Sequence, residues 1–170
     1  MTSALIPMGP GKREDWETPA HLVDAIHSAF GDIALDPCTN AGNPTRARHY
    51  CHLPTSDGLT FDWCIAPGLV YVNPPYGRAI VPWVEKIVTE RERGAEILAL
   101  VPARTDTRWF GRLLSAQPIL GFVTGRVTFR GAPSAAPFPS VFAYAGQRGA
   151  QFLNFMVETG WVCRYRRPST

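Results

Sequence analysis

Leu69-Val70-Tyr71-Val72-Asn73-Pro74-Pro75-Tyr76-Gly77 is the stretch on which the reading of this chain turns. Four apolar residues in a row, two of them valine and one tyrosine, predict a short buried strand. That strand must stop at Asn73. Proline has no N–H to give a ladder, and it pushes the preceding residue away from helical backbone. Beyond the stop, Ile80, Val81, Trp83, Val84, Ile87 and Val88 recur at helical spacing, with Pro82 tolerable in the first turn and Gly94 closing the segment. Ile97-Leu98-Ala99-Leu100-Val101 then forms a continuous apolar run, as in a parallel strand covered on both faces. Strand, loop, helix and strand in that order predict an α/β fold.

Working outward toward the N-terminus, Ile33-Ala34-Leu35 reads as a second strand, stopped by Asp36-Pro37. Before it, Thr18-Pro19 looks like a helix start with a capping hydroxyl, and Leu22, Val23, Ile26 and Phe30 share one helical face up to Gly31. Both interrupted strand ends are expected at the same sheet edge. In open α/β sheets ligands gather beyond the carboxyl ends of the strands. Residues 39–68 are turn-rich, with short strands expected around Arg48-His49-Tyr50 and Phe61-Asp62-Trp63.

Toward the C-terminus, Thr105-Asp106-Thr107 can cap a helix carrying Trp109, Phe110, Leu113 and Leu114. Strand candidates follow at residues 119–123, 127–129, 141–144 and 161–165, separated by turns, with a proline- and alanine-rich loop at 131–140. The expected architecture is a mostly parallel sheet with an antiparallel edge and helices on both faces. Residues 1–14 read as a flexible N-terminal arm and 15–170 as a single domain.

The 170 residues suffice for one packed core, and 45% hydrophobic content is ordinary for a globular chain. No apolar run is long enough to span a bilayer, and the first residues lack the pattern of a secretory signal, so a cytoplasmic location without membrane contact is expected. A net charge of +3 is compatible with a polyanionic partner. Only Lys12 and Lys86 are lysines among the 17 basic residues, and arginine is the better fork for phosphate. Arginines cluster at Arg104/Arg108/Arg112, at Arg126/Arg130 and at Arg164/Arg166/Arg167, where solubilising surface charge is the plain alternative. Cys38, Cys51, Cys64 and Cys163 show no paired spacing, so neither a disulfide framework nor a metal site is expected.

Asn-Pro-Pro by itself is also a tight turn. Its chemical capability is more particular. An aromatic amine is a poor nucleophile because its lone pair is delocalised into the ring. Two acceptors aimed at its two protons favour return of the pair to nitrogen, and neither has to be a strong base. The side-chain oxygen of Asn73 and the backbone carbonyl of Pro74 can be those acceptors. Pro75 fixes the backbone further, and Tyr76 offers a face on which a base taken out of a duplex can stack.

At this point the sequence resembles the amino-group methyltransferases, whose hallmark is [DNS]-P-P-[YFW] at a strand end. More narrowly it resembles phage-type DNA N6-adenine methyltransferases. The matching stretches are Asp15-Trp16-Glu17-Thr18-Pro19, Leu35-Asp36-Pro37-Cys38, Asp57-Gly58-Leu59 with Asp62-Trp63, Val72 to Tyr76, Pro82-Trp83-Val84, Val101 to Phe110, Gly125 to Phe129 and Ala136 to Ser140. They cover most of residues 15–145.

The resemblance implies a Rossmann-like methyltransferase sheet with S-adenosylmethionine across the strand ends. It implies catalytic roles for Asn73, Pro74, Pro75 and Tyr76, and a phage or prophage protein acting in a bacterial host cell. By the same resemblance Asp36, Pro37 and Cys38 take the place of the first cofactor loop, without the glycine-rich turn most methyltransferases carry. Trp16, Thr18 and Pro19 flank the methionine end of the cofactor. Asp57 and Asp62 are candidates for its ribose or adenine, although an aspartate in a turn commonly bonds its own backbone. Arg104, Thr105, Asp106, Arg108 and Arg126 are the candidates for DNA contact. No segment is long enough for a separate recognition domain, so a short target or weak specificity is expected, with a homodimer as one way to sharpen it. Two alternatives remain: the same tetrapeptide acting on protein glutamine or RNA guanine, or an inactive DNA-binding relative.

Overall fold

The computed structural model describes residues 16–65 and 67–164. The expected arm at 1–14 and the tail residues Tyr165, Arg166 and Arg167 lie outside them. In chain order the elements are α1 (Ala20–Phe30), β1 (Ile33–Asp36), β2 (His49–Tyr50), β3 (Leu69–Val72), α2 (Ile80–Glu92), β4 (Glu96–Pro102), α3 (Arg108–Leu113), β5 (Ile119–Val123), β6 (Ser140–Ala145), α4 (Gly149–Met156) and β7 (Gly160–Arg164). The strands form one sheet in the order β2-β1-β3-β4-β6-β5-β7.

Strands β1 to β5 run in one direction, through the parallel pairs β1/β2, β1/β3 and β3/β4. Strands β6 and β7 run the other way. The antiparallel edge is β7, while the second reversed strand, β6, lies inside the sheet between β4 and β5. Its sequence suits that place, because all six residues of Ser-Val-Phe-Ala-Tyr-Ala are buried.

Strand alternation sorts the core into two layers. Val70 and Val72 of β3, Ile97, Ala99 and Val101 of β4, and Val141 and Ala143 of β6 meet α2 and α3 through Ile80, Val84, Ile87, Phe110 and Leu113. On the other face Leu69, Tyr71, Leu98, Leu100, Phe142 and Tyr144 meet α1 and α4 through Leu22, Ile26, Phe30, Phe152, Phe155 and Met156. Each of the larger aliphatic and phenylalanine side chains among them contributes roughly 1.5–3 kcal/mol on burial. Among these elements α4 has no counterpart in the sequence expectations, although Phe152, Phe155 and Met156 stand at helical spacing.

Three local expectations are corrected. Residues 61–63 form no strand but a turn running into a short 3-10 helix, Trp63–Ile65. There the buried Trp63 indole N–H donates to the Gly58 carbonyl at 2.8 Å. Residues 127–129 make no sheet strand either. This segment crosses above the sheet edge, where Arg130 N–H donates to Glu17 O at 2.8 Å and Ala136 N–H to Val127 O at 2.8 Å. Thr18, finally, does not cap α1. Pro19 holds the capping position without a side-chain bond, and the Thr18 hydroxyl turns into the site. Thr107 does cap α3, accepting from the Phe110 N–H at 3.4 Å.

At the edge where β4 begins, Arg148 holds Glu96 at 2.7 Å and donates to the Phe30 carbonyl at 2.7 Å. The Tyr144 hydroxyl also donates to Glu96. This clasp ties α1, β4, β6 and the start of α4 together at the edge opposite to Asn73.

Candidate active site

The four-residue strand β3 delivers Asn73 to the carboxyl edge of the sheet, and two prolines hold the chain there. The Asn73 amide nitrogen donates to the Trp16 carbonyl at 2.5 Å and to the Thr18 hydroxyl at 3.2 Å. A backbone carbonyl can only accept, so this contact fixes which way the carboxamide faces. Its oxygen is thereby presented as an acceptor, and the Tyr76 hydroxyl donates to it at 2.8 Å. Thr18 is itself anchored by the Tyr71 hydroxyl at 2.6 Å. Residues 16–18 thus form a strap across the end of β3, and the bridge between Glu17 and Arg130 pins it on the other side.

Aromatic rings close the space above this network. Tyr76 meets Trp16 at 6.1 Å between ring centroids, and Phe129 and Phe138 edge-on at 5.9 and 5.4 Å. Trp16 also packs edge-on against Phe129 at 4.9 Å. Burial among these rings pushes the Tyr76 phenol well above its ordinary range, so it acts as a neutral donor.

The β1 loop stands next to it. Asp36 is buried, accepting from the Cys38 N–H at 3.1 Å and from the Thr45 hydroxyl at 2.7 Å. It therefore shapes the loop from within. The Cys38 thiol is pushed well above its usual range, first by burial and then by the neighbouring Asp36 charge, while the Asn73 backbone N–H faces its sulfur. Cys38 is a neutral packing group between the two strand ends. Asp57 caps its own turn, accepting from the Leu59 N–H at 2.9 Å, and the adjacent Gly58 lies directly against Pro37.

Burial raises the Asp36 carboxyl to about 6, against a lowering by its hydrogen bonds. Because the folded value lies above the ordinary 3.8, the protonated form favours the fold. The stability from this group is complete below about pH 4 and is lost as pH rises through 6, a swing of about 3 kcal/mol. Asp36→Asn keeps the shape, with its oxygen toward Cys38 and its nitrogen toward Thr45. It is expected to raise stability in urea at pH 7.5 by up to about 3 kcal/mol, with the gain vanishing toward pH 4. A variant less stable than the parent at both pH values would mean that the charge carries no such cost.

A cleft of about 500 Å³ opens beside the strap, lined by Glu17, Asn40, Gly42, Pro44, Arg130 and Gly131. Asn40 donates to Glu17 at 2.6 Å, and Arg130 stands 3.7 Å from Glu17 with 68% of its side chain exposed. Glu17 and Asn40 are not among the sequence candidates, and Arg130 stands there only as half of the Arg126/Arg130 cluster. Glu17 sits between Trp16 and Thr18 and could have been found by that position; Arg130 becomes visible only when the 127–136 segment folds back over the strap.

Asp62 is not brought here. Its carboxylate accepts from Arg93 at 3.1 Å and from the Cys64 N–H at 3.0 Å. Arg93 directly follows α2, which descends from the Asn73 edge to the start of β4, so Asp62 lies at the opposite edge. Arg93 holds its carboxyl below the usual range, and the same arginine pairs with the buried Glu90. By contrast Arg104, Thr105, Asp106 and Arg108 all lie exposed where β4 leaves the sheet at the Asn73 edge. Arg104 stands 3.6 Å from Asp106. Arg126, also exposed, follows β5 at that edge. Arg112 instead pairs with Glu85 on α2 at 2.9 Å. Trp109 packs partly buried against the α2/α3 core.

A sheet with a reversed strand between two parallel ones, helices on both faces and Asn-Pro-Pro-Tyr at a central carboxyl end defines the Rossmann-like methyltransferase fold. Residues 9–147 match the DNA N-6-adenine-methyltransferase (Dam) family, and the chain belongs to that family. It is also 26% identical over 98 residues to a DNA N-6-adenine-methyltransferase of Escherichia phage T1. That match takes in 58% of this chain and 40% of the phage protein, so the chain spans about two-fifths of its relative. No helix of the described residues is long and apolar enough to cross a membrane.

Proposed function

We propose that this protein transfers a methyl group to the N6 amine of adenine in DNA, with S-adenosylmethionine as donor. The observation that carries the reading is the fixed carboxamide of Asn73. Its nitrogen is committed to Trp16 and Thr18, and its oxygen faces the aromatic cluster as an acceptor. Membership of the Dam family supports adenine as the acceptor base.

The residues beside Asn73 suit the donor. An α-amino acid end carries an ammonium and a carboxylate, and the cleft offers Glu17 for one and Arg130 for the other, with Asn40 donating to Glu17. Trp16, Thr18 and Pro19 border this end through the strap. Asp36, Pro37 and Cys38 form the loop under it, and Asp57 lies on the far side of Pro37 for ribose contact. When bound, S-adenosylmethionine supplies a methyl group on a positively charged sulfur. Asn73 Oδ1 and the Pro74 carbonyl hold the two amino protons and leave the nitrogen lone pair free to attack. An amide accepts no proton at neutral pH, so the proton displaced on methylation leaves to solvent. Pro75 keeps Pro74 in place, and Tyr76 gives the base its stacking face once Trp16 moves aside. Trp16 and Tyr76 stand 6.1 Å apart between centroids and are tilted by 40°, so they form no parallel slot for a base until the rings move. In this reading Arg104, Arg108 and Arg126, with the Thr105 hydroxyl, hold the flanking phosphates, and Asp106 orients Arg104, which stands 3.6 Å from it.

The test is incubation with unmethylated DNA and labelled S-adenosylmethionine, followed by digestion to nucleosides and mass spectrometry. N6-methyladenine is expected; label in a glutamine peptide or in RNA guanine, and none in DNA, would overturn the reading. Arg130→Ala is expected to raise the dissociation constant for S-adenosylmethionine about three- to tenfold in calorimetry at low salt. The effect is modest because the side chain is largely exposed, and it should shrink as salt is added.

A further inference from the structure

Ser140 carries the one buried side-chain polar atom with no hydrogen-bond partner among the described residues. It is 1% exposed and opens β6, opposite Pro102, at the Asn73 edge of the sheet. Burying a hydroxyl without a partner is unfavourable, and alanine would fill the same space without that cost. Its direction follows from strand alternation. Ser140 shares its side of the sheet with Phe142 and Tyr144, whose layer includes Phe129, Phe138 and the inner face of Tyr76. Phe138, two residues upstream, touches the Tyr76 ring edge-on at 5.4 Å. The hydroxyl therefore lies on the ring-cluster side of the sheet at its Asn73 edge, with β4 between it and the strand that presents Asn73.

We propose that Ser140 is a base-binding residue whose hydroxyl donates a hydrogen bond to N1 of the target adenine. This rests on the adenine reading above. With the amino protons held by Asn73 Oδ1 and the Pro74 carbonyl, the ring nitrogen beside the amine is the next acceptor that must be satisfied. In cytosine the nitrogen beside the amine is likewise an acceptor. A hydroxyl can also turn to accept from a ring N–H, so the bond supplies affinity for the flipped base and not discrimination among bases. A donor at N1 also favours the form in which the amine lone pair is delocalised into the ring. The bond therefore gives no help to the chemical step: its loss raises KM and leaves kcat the same or slightly higher.

The experiment compares wild type and Ser140→Ala on duplexes carrying the sequence that wild type methylates, with adenine or 1-deazaadenine at the target. Expected for Ser140→Ala are a melting temperature equal to or above wild type, a KM for DNA raised about three- to tenfold, and kcat within about twofold. Wild type on 1-deazaadenine should show the same rise, and Ser140→Ala no further one. An unchanged KM would overturn the proposal. So would an additional loss of the variant on 1-deazaadenine, or a melting temperature lowered by several degrees, which would place the hydroxyl's partner inside the protein. Absence of methyl transfer to DNA by wild type itself would instead remove the adenine reading, and this assignment with it.

Discussion

Asn73→Ala is expected to lower kcat for methyl transfer by about 10²- to 10³-fold, the scale of losing one preorganised polar contact to a transition state. The loss has two physical parts. The amine forfeits one of the two acceptors that release its lone pair. The strap forfeits its anchor, because the amide nitrogen that held the Trp16 carbonyl and the Thr18 hydroxyl is gone. Asn73→Asp separates the parts. It keeps an oxygen for the amine but sets a second carboxylate oxygen against the Trp16 carbonyl, where two acceptors meet without a proton. Asp is therefore expected to retain more kcat than Ala while losing at least as much stability, by about 1–3 kcal/mol. Single-turnover methyl transfer at saturating donor, run beside denaturation of each variant, reads both quantities. Equal kcat for wild type and Ala would remove Asn73 from the chemistry.

Gly58→Ala is expected to cost about 3 kcal/mol or more, with a matching loss of cofactor affinity in the part of the protein that stays folded. A methyl group there would stand 1.8 Å from the Pro37 carbonyl oxygen and 2.6 Å from its carbon. Both are backbone atoms and cannot swing aside. Movement of Gly58 the other way is resisted by Trp63, whose buried indole N–H is bonded to the Gly58 carbonyl. The strain must then pass into Pro37, and from there to the Asp36 and Cys38 loop beside Asn73. Calorimetric binding of S-adenosylmethionine together with a thermal melt measures the outcome. A variant with parental melting and affinity would show that Pro37 and Gly58 do not meet in solution.

The two predictions mark how far the site could be read from sequence. Asn73 was legible because an apolar strand stopped by two prolines is a local pattern whose chemistry is written in the same four residues. Asp36 was legible as a strand end for the same reason, but its role was not. Its carboxylate bonds Cys38 and Thr45, and only the fold shows that it is used up inside the loop. Around residue 58 the attention fell on Asp57, although the demand of the structure falls on its neighbour. That glycine has no backbone angle to explain it, only the closeness of Pro37. The resemblance puts Asp62 with the cofactor, whereas the turn into Trp63 carries it down to Arg93 at the other edge. Helix α4 escaped because eight residues give barely two turns of periodicity, and Arg130 because its partner Glu17 is separated from it by most of the chain. For the fold, the buried strands β1, β3, β4, β5 and β6 are readable from their apolar runs, while the short runs at 61–63 and 127–129 form no strand. The insertion of β6 between β4 and β5 is not readable, since pairing order is decided by tertiary contacts.

The placement of β6 also sets the order in which the protein can come into being. During synthesis β4 emerges well before β6, and until residues 140–145 arrive it presents a bare edge whose Ile97, Leu98, Ala99, Leu100 and Val101 are all buried in the finished sheet. An uncovered hydrophobic strand edge is a template for pairing with another chain, so a product cut short before Ser140 is expected to aggregate, not to persist as a small soluble domain. The strap at the very start of the sheet waits as well, because Glu17 has no bridge until Arg130 is made. The proposed site therefore cannot assemble on a partial chain: the first and last thirds of the polypeptide have to meet before it is complete.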